Sequence, residues 1–280
     1  MEYVELRARI VPENDNAEII TALLAEIGFE SFVEENDFLL AYIPAKDFDV
    51  DAVDRINEGL PEVFRFSYSF SKIADQNWNA TWESNYSPVL IDDKVSIRAP
   101  FHPKPQNVDY DIIIEPKMSF GTAHHPTTAQ IIKLMTAMDF TGRKVLDIGC
   151  GTAVLAILAS MKGAKHIDAV DNDEWAYNNS VENIERNKIG NIAIFLDDAG
   201  FLDNPENGNY DIILANINRN ILLNDIPAYA KALKTGGTII MSGFYVSDLE
   251  ILDKKASDND LVYKSHISDN EWVAAVWNKK

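Results

Sequence analysis

The stretch VLDIGCGTAVLA, residues 145–156, decides the fold. Its apolar first half is typical of a buried strand, and the run after the glycines is typical of a helix. Gly149 and Gly151 predict a tight turn between the two, since a residue without a side chain leaves the backbone open to close approach by a ligand. Asp171 ends the next apolar strand, where an acidic residue is placed to hold a ribose. Together these signals indicate a nucleotide-binding unit rather than an ordinary strand–turn–helix.

Two classes of nucleotide ligand bind at such turns, and the sequence separates them. Dinucleotide sites require Gly or Ala at the third position of Gly-x-Gly-x-x-Gly, so that the helix N-terminus reaches the pyrophosphate. Counting from Gly149, that position holds the β-branched Val154, which crowds the approach. A carboxylate at the mouth of the turn, Asp147, repels a pyrophosphate but suits a sulfonium and an amino group. The pattern Asp-x-Gly-x-Gly-x-small, with Ala153 at the small position, resembles motif I of class I methyltransferases and predicts S-adenosylmethionine.

The whole chain predicts an α/β protein with two domains and a connector. From residue 108 onward, strands alternate with helices, which implies a Rossmann-like parallel sheet covered on both faces and closed by a terminal antiparallel hairpin. Residues 1–73 have the order βαββαβ of a ferredoxin-like α+β domain. The predicted boundaries are 1–73 for this domain, 74–108 for a linker, and 109–280 for the methyltransferase domain.

Element positions follow from the period-2 and period-3.6 hydrophobic patterns. In the smaller domain, strands are predicted at 3–10, 30–35, 38–43 and 63–72, and helices at 14–27 and 47–59. In the linker, one strand is predicted at 94–99, and Trp78 and Trp82 are expected to pack at the domain junction. In the larger domain, strands are predicted at 110–115, 144–148, 166–171, 192–196, 210–215, 237–243, 261–267 and 270–278, and helices at 124–138, 153–162, 173–187, 219–232 and 247–256.

Composition is typical of a soluble globular protein. Of the 280 residues, 46% are hydrophobic and 25% are charged, and no apolar run reaches the length of a membrane span. The single cysteine, Cys150, permits no intrachain disulfide and favours a reducing cytoplasm. We interpret Cys150 as a small filler in the turn. The first residues lack the pattern of a signal peptide.

The net charge limits the partners. A formal charge of −19 opposes binding to a phosphate backbone and suits a cationic partner, although it is equally consistent with plain solubility. We expect a cytoplasmic monomer that binds neither nucleic acid nor membranes.

Three further segments are candidates for the site. Residues 120–128, FGTAHHPTT, precede a helix, and Pro126 marks its start. The two histidines lack a metal-ligand spacing, so we expect no metal there, and we expect the helix start to offer N–H groups and hydroxyls to the cofactor. Asn216 follows a predicted strand, and ligands in open α/β sheets bind outside the carboxyl ends of strands. Its side-chain oxygen is suited to accept a hydrogen bond from an amine. Asp197 or Asp198 is expected to meet an adenine amino group.

The chain resembles one family over most of its length. The segment EPKMSFGTAHHPTT, residues 115–128, is similar to the signature of the ribosomal protein L-eleven methyltransferases (the PrmA family). So are VLDIGCG at 145–151, Asp171, ANI at 215–217, NWNATW at 77–82 and Glu271-Trp272. Ala123 stands where the family usually has Gly. The resemblance implies contacts to S-adenosylmethionine from Thr128, Gly149, Asp171 and Asn216. The candidate site therefore comprises Asn216 as the catalytic residue and, for the cofactor, Thr128, Asp147, Gly149, Gly151, Asp171 and Asn216.

The resemblance also implies an activity. Such an enzyme transfers methyl groups from S-adenosylmethionine to lysine side chains and to the N-terminal amine of a large-subunit ribosomal protein, which the N-terminal domain binds. In this hypothesis Asn216 orients a neutral amine for in-line displacement, positioning supplies most of the catalysis, and water takes the proton. Two alternatives stay open: an amino methyltransferase acting on another protein, for example on a glutamine amide, and a cofactor-binding module without turnover.

Overall fold

A computed structural model describes residues 2–10, 16–73, 86–117 and 119–280. The chain divides into two compact units, Met1–Tyr86 and Ser87–Lys280. Trp78 and Trp82, which were predicted to pack at a domain junction, lie outside the described residues. Within the described part of the chain, no helix has both the length and the apolar character that crossing a bilayer requires.

The first unit is an antiparallel sheet with two helices. Its strands are β1 (Tyr3–Arg9), β2 (Ser31–Glu35), β3 (Phe38–Pro44) and β4 (Tyr68–Ile73), and its helices are α1 (Asn16–Glu26) and α2 (Val50–Gly59). The sheet order is β2-β3-β1-β4, with alternate residues of β1, namely Val4, Leu6 and Ala8, buried. This βαββαβ arrangement agrees with the ferredoxin-like prediction. The predicted strand 63–72 starts late, because the segment Glu62–Phe64 forms a 3-10 turn after Pro61.

The second unit contains the remaining elements. Its helices are α3 (Pro126–Thr136), α4 (Val154–Met161), α5 (Glu174–Arg186), α6 (Arg219–Ala232) and α7 (Leu249–Ser257). Its strands are β5 (Val89–Ile91), β6 (Val95–Arg98), β7 (Tyr110–Ile113), β8 (Lys144–Ile148), β9 (His166–Asp171), β10 (Ile192–Leu196), β11 (Tyr210–Asn216), β12 (Leu233–Tyr245), β13 (Leu261–Asp269) and β14 (Trp272–Lys279).

Seven of these strands form the main sheet, in the order β10-β9-β8-β11-β12-β14-β13. The strands from β10 to β12 pair in parallel, whereas β14 pairs antiparallel with both β12 and β13. The order reverses between β8 and β11, which opens a crevice at the carboxyl ends of those strands. This topology confirms the predicted α/β class with its terminal antiparallel hairpin.

The side chains of β8 show that helices cover the sheet on both faces. Val145 belongs to the hydrophobic cluster that includes α3 and α4, whereas Leu146 and Ile148 belong to the cluster that includes α6 and α7. All residues of α4 from Val154 to Ala159 are buried, so this helix lies inside the unit rather than on its surface.

A small separate sheet precedes the main one and differs from the prediction. Strands β5, β6 and β7 form a three-stranded sheet, in which β6 and β7 pair in parallel. The buried Arg98 guanidinium, on β6, forms an ion pair at 2.8 Å with Asp111 on β7. Residues 87–108 therefore belong to the second unit, although the predicted linker covered 74–108, and β7 does not join the main sheet as its position in the alternating pattern suggested. The proline-rich composition concealed these pairings.

Candidate functional site

The glycine turn after β8 is shaped by contacts within the protein. Gly149 and Gly151 have φ angles of 69° and 55°, in the left-handed region that favours glycine. A Cβ at Gly149 would lie 2.7 Å from Cγ1 of Ile217, and a Cβ at Gly151 would collide with the carbonyl oxygen of Phe120. Both glycines are thus required by neighbouring parts of the chain. Direct contact between Gly151 and a cofactor stays a prediction.

Ile217 is held on a second side by another glycine. A Cβ at Gly243, which has a φ angle of 96°, would collide with the carbonyl oxygen of Ile217. The backbone N–H of Ile217 also donates to the carbonyl oxygen of Ser242 over 3.1 Å. The residue that follows Asn216 is therefore packed between the β8 turn and β12.

The carboxylate of Asp171, at the end of β9, is fixed by two backbone groups. Its Oδ2 accepts a hydrogen bond from the N–H of Gly151 at 2.8 Å, and its Oδ1 accepts one from the N–H of Asp173 at 3.0 Å. One side chain therefore connects the glycine turn to the start of α5, where Asp173 is the N-cap residue. This position at the sheet edge is the one that the sequence predicted for a ribose-binding acid.

A cavity of about 90 Å³ lies beside Asp171. It brings together residues that end or follow β8, β9, β10 and β11, with three from helix α6: Ile148, Gly149, Asp171, Asn172, Asp197, Asp198, Ala199, Ile217, Ile221, Asp225 and Tyr229. Four of these, Gly149, Asp171, Asp197 and Asp198, were singled out from the sequence. The side chains of α6 were missed, although Ile221, Asp225 and Tyr229 recur at a spacing of four residues and so share one helical face.

Asp147 lies beneath the turn rather than at its mouth. Its side chain is only 1% exposed, and its Oδ2 accepts a hydrogen bond at 3.0 Å from the N–H of Ala156 in α4. Its Oδ1 is buried and has no hydrogen-bond partner among the described residues. Burial, assisted by the nearby charge of Asp171, raises the pKa of Asp147 to about 7. The expected position at the mouth of the turn is wrong, because α4 covers this carboxyl group. Its contact with the cofactor stays a prediction.

Asn216 and Thr128 form a pair at the end of β11. The Nδ2 group of Asn216 donates a 3.0 Å hydrogen bond to Oγ1 of Thr128, which is buried in the first turn of α3. This bond fixes the orientation of the amide. The Oδ1 atom of Asn216 is buried and lacks a hydrogen-bond partner in the described part of the chain. The pair therefore offers one oriented acceptor to a hydrogen-bond donor that none of the described residues supplies.

The loop that leads into α3 is docked onto the glycine turn. Thr152 donates from its backbone N–H to the carbonyl oxygen of Phe120 over 2.9 Å, and from Oγ1 to that of Gly121 over 2.6 Å. His125 is the N-cap residue of α3, and its Nδ1 accepts from the N–H of Thr127 over 3.3 Å. Ala123, at the position where Gly is usual in the family that the sequence resembles, has a φ angle of 65° and is buried.

Four aromatic rings gather around the start of α3, and we call them the aromatic wall: Phe120, His125, Tyr245 and Trp272. The ring centroids of His125 and Trp272 are 4.8 Å apart, those of Tyr245 and Trp272 are 4.1 Å apart, and those of Phe120 and His125 are 5.3 Å apart. Phe120 and Tyr245 are about half exposed, so the wall borders open space. No local pattern pointed to Tyr245, because its contact with Trp272 depends on the pairing of β12 with β14.

The donor set at this edge of the sheet fits S-adenosylmethionine. The cavity beside Asp171 also contains the carboxylates of Asp197, Asp198 and Asp225, which suit a cationic ligand and repel a diphosphate. The Oδ1 of Asn216, without a partner among the residues that the structure describes, adds an acceptor at the same edge. Burial raises the pKa of the Cys150 thiol well above its ordinary value, so this residue is an inert filler of the turn. The described residues contain no group of three or more His, Cys, Asp or Glu side chains that could hold a metal ion.

Comparisons with known proteins agree with this geometry. The profile of the family described as "Ribosomal protein L11 methyltransferase (PrmA)" matches residues 9–280. A protein of that name from Phocaeicola vulgatus is 42% identical over 278 residues, which are 98% of each chain. Another, from Chlorobaculum tepidum, is 37% identical over 288 residues, covering 99% of this chain and 97% of its own. The solved structure of a ribosomal protein L11 methylase from Lactobacillus delbrueckii subsp. bulgaricus has a TM-score of 0.62 and 26% identity, and covers 70% of this chain and 100% of its own.

The cavity, the Asn216–Thr128 pair and the sequence matches lead to one assignment. The chain belongs to the ribosomal protein L11 methyltransferase (PrmA) family, which confirms the predicted methyltransferase class and S-adenosylmethionine as the methyl donor.

Proposed function

We propose that the protein methylates lysine side chains, and the N-terminal amine, of a large-subunit ribosomal protein of the L11 type. The single observation that carries the proposal is the buried Oδ1 of Asn216, an oriented acceptor without a partner among the described residues. An amine N–H is the donor that this acceptor fits. The names of the relatives, all ribosomal protein L11 methyltransferases, support the identity of the protein substrate.

The cofactor would be held by the carboxylate of Asp171 through its ribose and by the cavity that Gly149 and Asp197 line. When bound, it supplies a methyl group on a positively charged sulfur, which departs as a neutral thioether. Asp171 is already fixed by two backbone N–H groups, so it needs no rearrangement to accept the ribose hydroxyls.

The amine must first lose a proton, because the reference pKa of lysine is about 10.4. The aromatic wall supports this step, because an apolar surrounding disfavours the charged form of an amine. Asn216 accepts one N–H and thereby aims the nitrogen lone pair. The nitrogen–carbon bond forms as the sulfur–carbon bond breaks, and the displaced proton passes to water.

The remaining features of the proposal concern the partner and the compartment. The first unit binds the ribosomal protein, and the net charge of −19 favours a cationic substrate over a nucleic acid. We place the enzyme in the cytoplasm as a monomer, where a ribosomal protein is available before assembly. The single cysteine is consistent with that reducing compartment.

The test is transfer of a labelled methyl group from S-adenosylmethionine to purified ribosomal protein L11, followed by mass spectrometry of its peptides. We expect label on lysine side chains and the N-terminal amine. Label on a glutamine amide would support the second amino methyltransferase hypothesis, and binding of the donor without transfer would support an inactive module.

A matched pair of variants tests the role of the amide. Thr128→Val removes the hydroxyl that orients Asn216 but keeps the shape of the side chain, whereas Thr128→Ser keeps the hydroxyl. We expect the first to lower kcat by about tenfold, less than the roughly 100-fold that a misplacement of 1 Å can cost, and the second to change it much less. Equal effects of the two variants would show that the hydroxyl does not position the amide.

A further inference from the structure

We propose that a groove beside α3 holds a basic segment of the protein substrate next to the amine that is methylated. This inference rests on the proposed function and adds a second contact surface for the substrate. The groove, which we call the α3 groove, has a volume of about 620 Å³. Its lining includes Leu90, Asp92, Gln130, Lys133, Ile267 and Asp269.

Helix α3 serves the site and the groove with different faces. Thr128 contacts Asn216 at the end of β11. Pro126, Ala129, Gln130 and Lys133 line the groove instead, and their spacing of three, one and three residues places them on one stripe of the helix. A segment lying in the groove would therefore be separated from the reacting amine by the width of one helix.

Gln130 connects the groove to the aromatic wall. It is only 5% exposed, and its Nε2 donates a 3.0 Å hydrogen bond to the carbonyl oxygen of Trp272. Its Oε1 is buried and has no partner among the described residues. A buried acceptor without a donor costs free energy, so a peptide or side-chain N–H that reached it would be stabilised. Such a donor would also hold Gln130 in place, and Gln130 in turn bonds the backbone of Trp272.

The charge and the apolar surface of the groove indicate the chemistry of its occupant. Lys133 lies 3.4 Å from Asp92, so its charge is already matched within the groove. No described residue forms an ion pair with Asp269, which lies on the exposed end of β13. Leu90 is about half exposed, and Ile267 lies beside Asp269. A lysine or arginine side chain combines an apolar stem with a cationic head and so matches both parts of this surface.

Charge reversal at the groove tests the inference by separating KM from kcat. We expect Asp269→Lys to raise KM for ribosomal protein L11 by about tenfold and to leave kcat and the Kd of S-adenosylmethionine unchanged, because the lost attraction affects only association with the protein. Glu185→Lys is the matched control. It makes the same change of charge at an exposed position of α5, which packs against β10, at the opposite edge of the sheet from β13. Equal KM values for the two variants would overturn the inference.

Two further measurements keep the outcome decisive. Asp269→Asn tests the same carboxylate with a smaller change, and its melting temperature shows whether the fold is intact. A photo-crosslinking amino acid at Leu90 should join to a basic segment of ribosomal protein L11. This cross-link is detected without turnover, so it tests whether the groove binds a basic segment even if no methyl group is transferred. Failure of wild-type methylation would contradict the proposed function, whereas a cross-link to a non-basic segment, to the chain itself or to nothing would contradict the groove alone.

Discussion

The ends of β9 and β11 present two polar side chains at the same edge of the sheet, and their hydrogen bonding differs. Both oxygens of Asp171 accept hydrogen bonds from backbone N–H groups, whereas among the described residues only the nitrogen of Asn216 is bonded, to Thr128. Asp171 is thus held in place with or without a ligand. The buried Oδ1 of Asn216, which no described residue bonds, carries a cost of about 1–3 kcal/mol until a hydrogen-bond donor arrives. The comparison therefore distinguishes a side chain that the protein itself holds in place from one whose hydrogen bonding is completed only by a substrate.

The largest effect is expected from removing the side chain of Asn216, the residue whose hydrogen bonding is incomplete. Asn216→Ala should lower kcat by about 100-fold or more, because an oriented acceptor at the reacting group contributes at that scale. The Kd of S-adenosylmethionine should change much less than kcat. Steady-state kinetics measure kcat, and calorimetry measures the Kd. A loss confined to the binding of S-adenosylmethionine would show that Asn216 contacts the cofactor rather than the amine.

Asp147 sharpens the comparison, since one of its oxygens accepts a hydrogen bond and the other has no partner among the described residues. Its pKa rises from 3.8 to about 7 on folding, so the folded protein keeps a proton that the unfolded chain has lost. The stabilising contribution is complete below the lower value and is lost as pH rises through the higher one, with an upper limit of about 4 kcal/mol.

Asp147→Asn removes this titration. We therefore expect the free energy of unfolding of the wild type to fall relative to the variant between pH 4 and pH 8. Urea denaturation at several pH values measures the difference. A difference between the two proteins that is constant across this range would show that the buried carboxyl group does not titrate as argued.

A smaller effect is expected at the ordered end of the comparison. Asp171→Asn should raise the Kd of S-adenosylmethionine by about tenfold, because the hydrogen bonds to the ribose lose the assistance of a charge and the amide nitrogen cannot accept from one of the two backbone N–H groups. At saturating cofactor, kcat should stay close to that of the wild type. Calorimetry gives the first value. A large fall in kcat with normal binding of S-adenosylmethionine would show that Asp171, like Asn216, acts in the transfer step rather than in holding the cofactor.

The smallest effect is expected at Ala123. Gly in this left-handed position relieves backbone strain, but it also removes a buried methyl group and adds entropy to the unfolded chain. These terms oppose one another, so Ala123→Gly should change the free energy of unfolding by less than about 1 kcal/mol. Thermal denaturation checks this, and a loss of several kcal/mol would show that the alanine methyl group is essential to the loop.

Local patterns predicted the parts of the site that depend on neighbours in sequence. The glycine turn, the position of Asp171 at the end of a strand and that of Asn216 at the end of another follow from hydrophobic runs and the rule for parallel sheets. The burial of Asp147 does not, because it depends on how α4 packs over β8.

Contacts between distant segments were out of reach of such patterns. Gln130 and Trp272 are separated by 142 residues, and their hydrogen bond follows from the packing of α3 against β14. Likewise, the pairing of β6 with β7 was hidden by a composition typical of a linker. Long-range packing, rather than local preference, built the aromatic wall and the α3 groove.

The wedging of Ile217 between two glycines has a mechanical consequence for catalysis. Because Gly149 and Gly243 leave no spare room around it, the peptide that follows Asn216 cannot drift without displacing either the β8 turn or β12. Steric exclusion thereby positions the side-chain amide of Asn216 against the β8 turn, in addition to the hydrogen bond that the amide donates to Thr128. Gly243 is remote in sequence from Asn216 and from Gly149. A methyl group added at Gly243 would therefore misalign the reacting partners without removing any group that binds them.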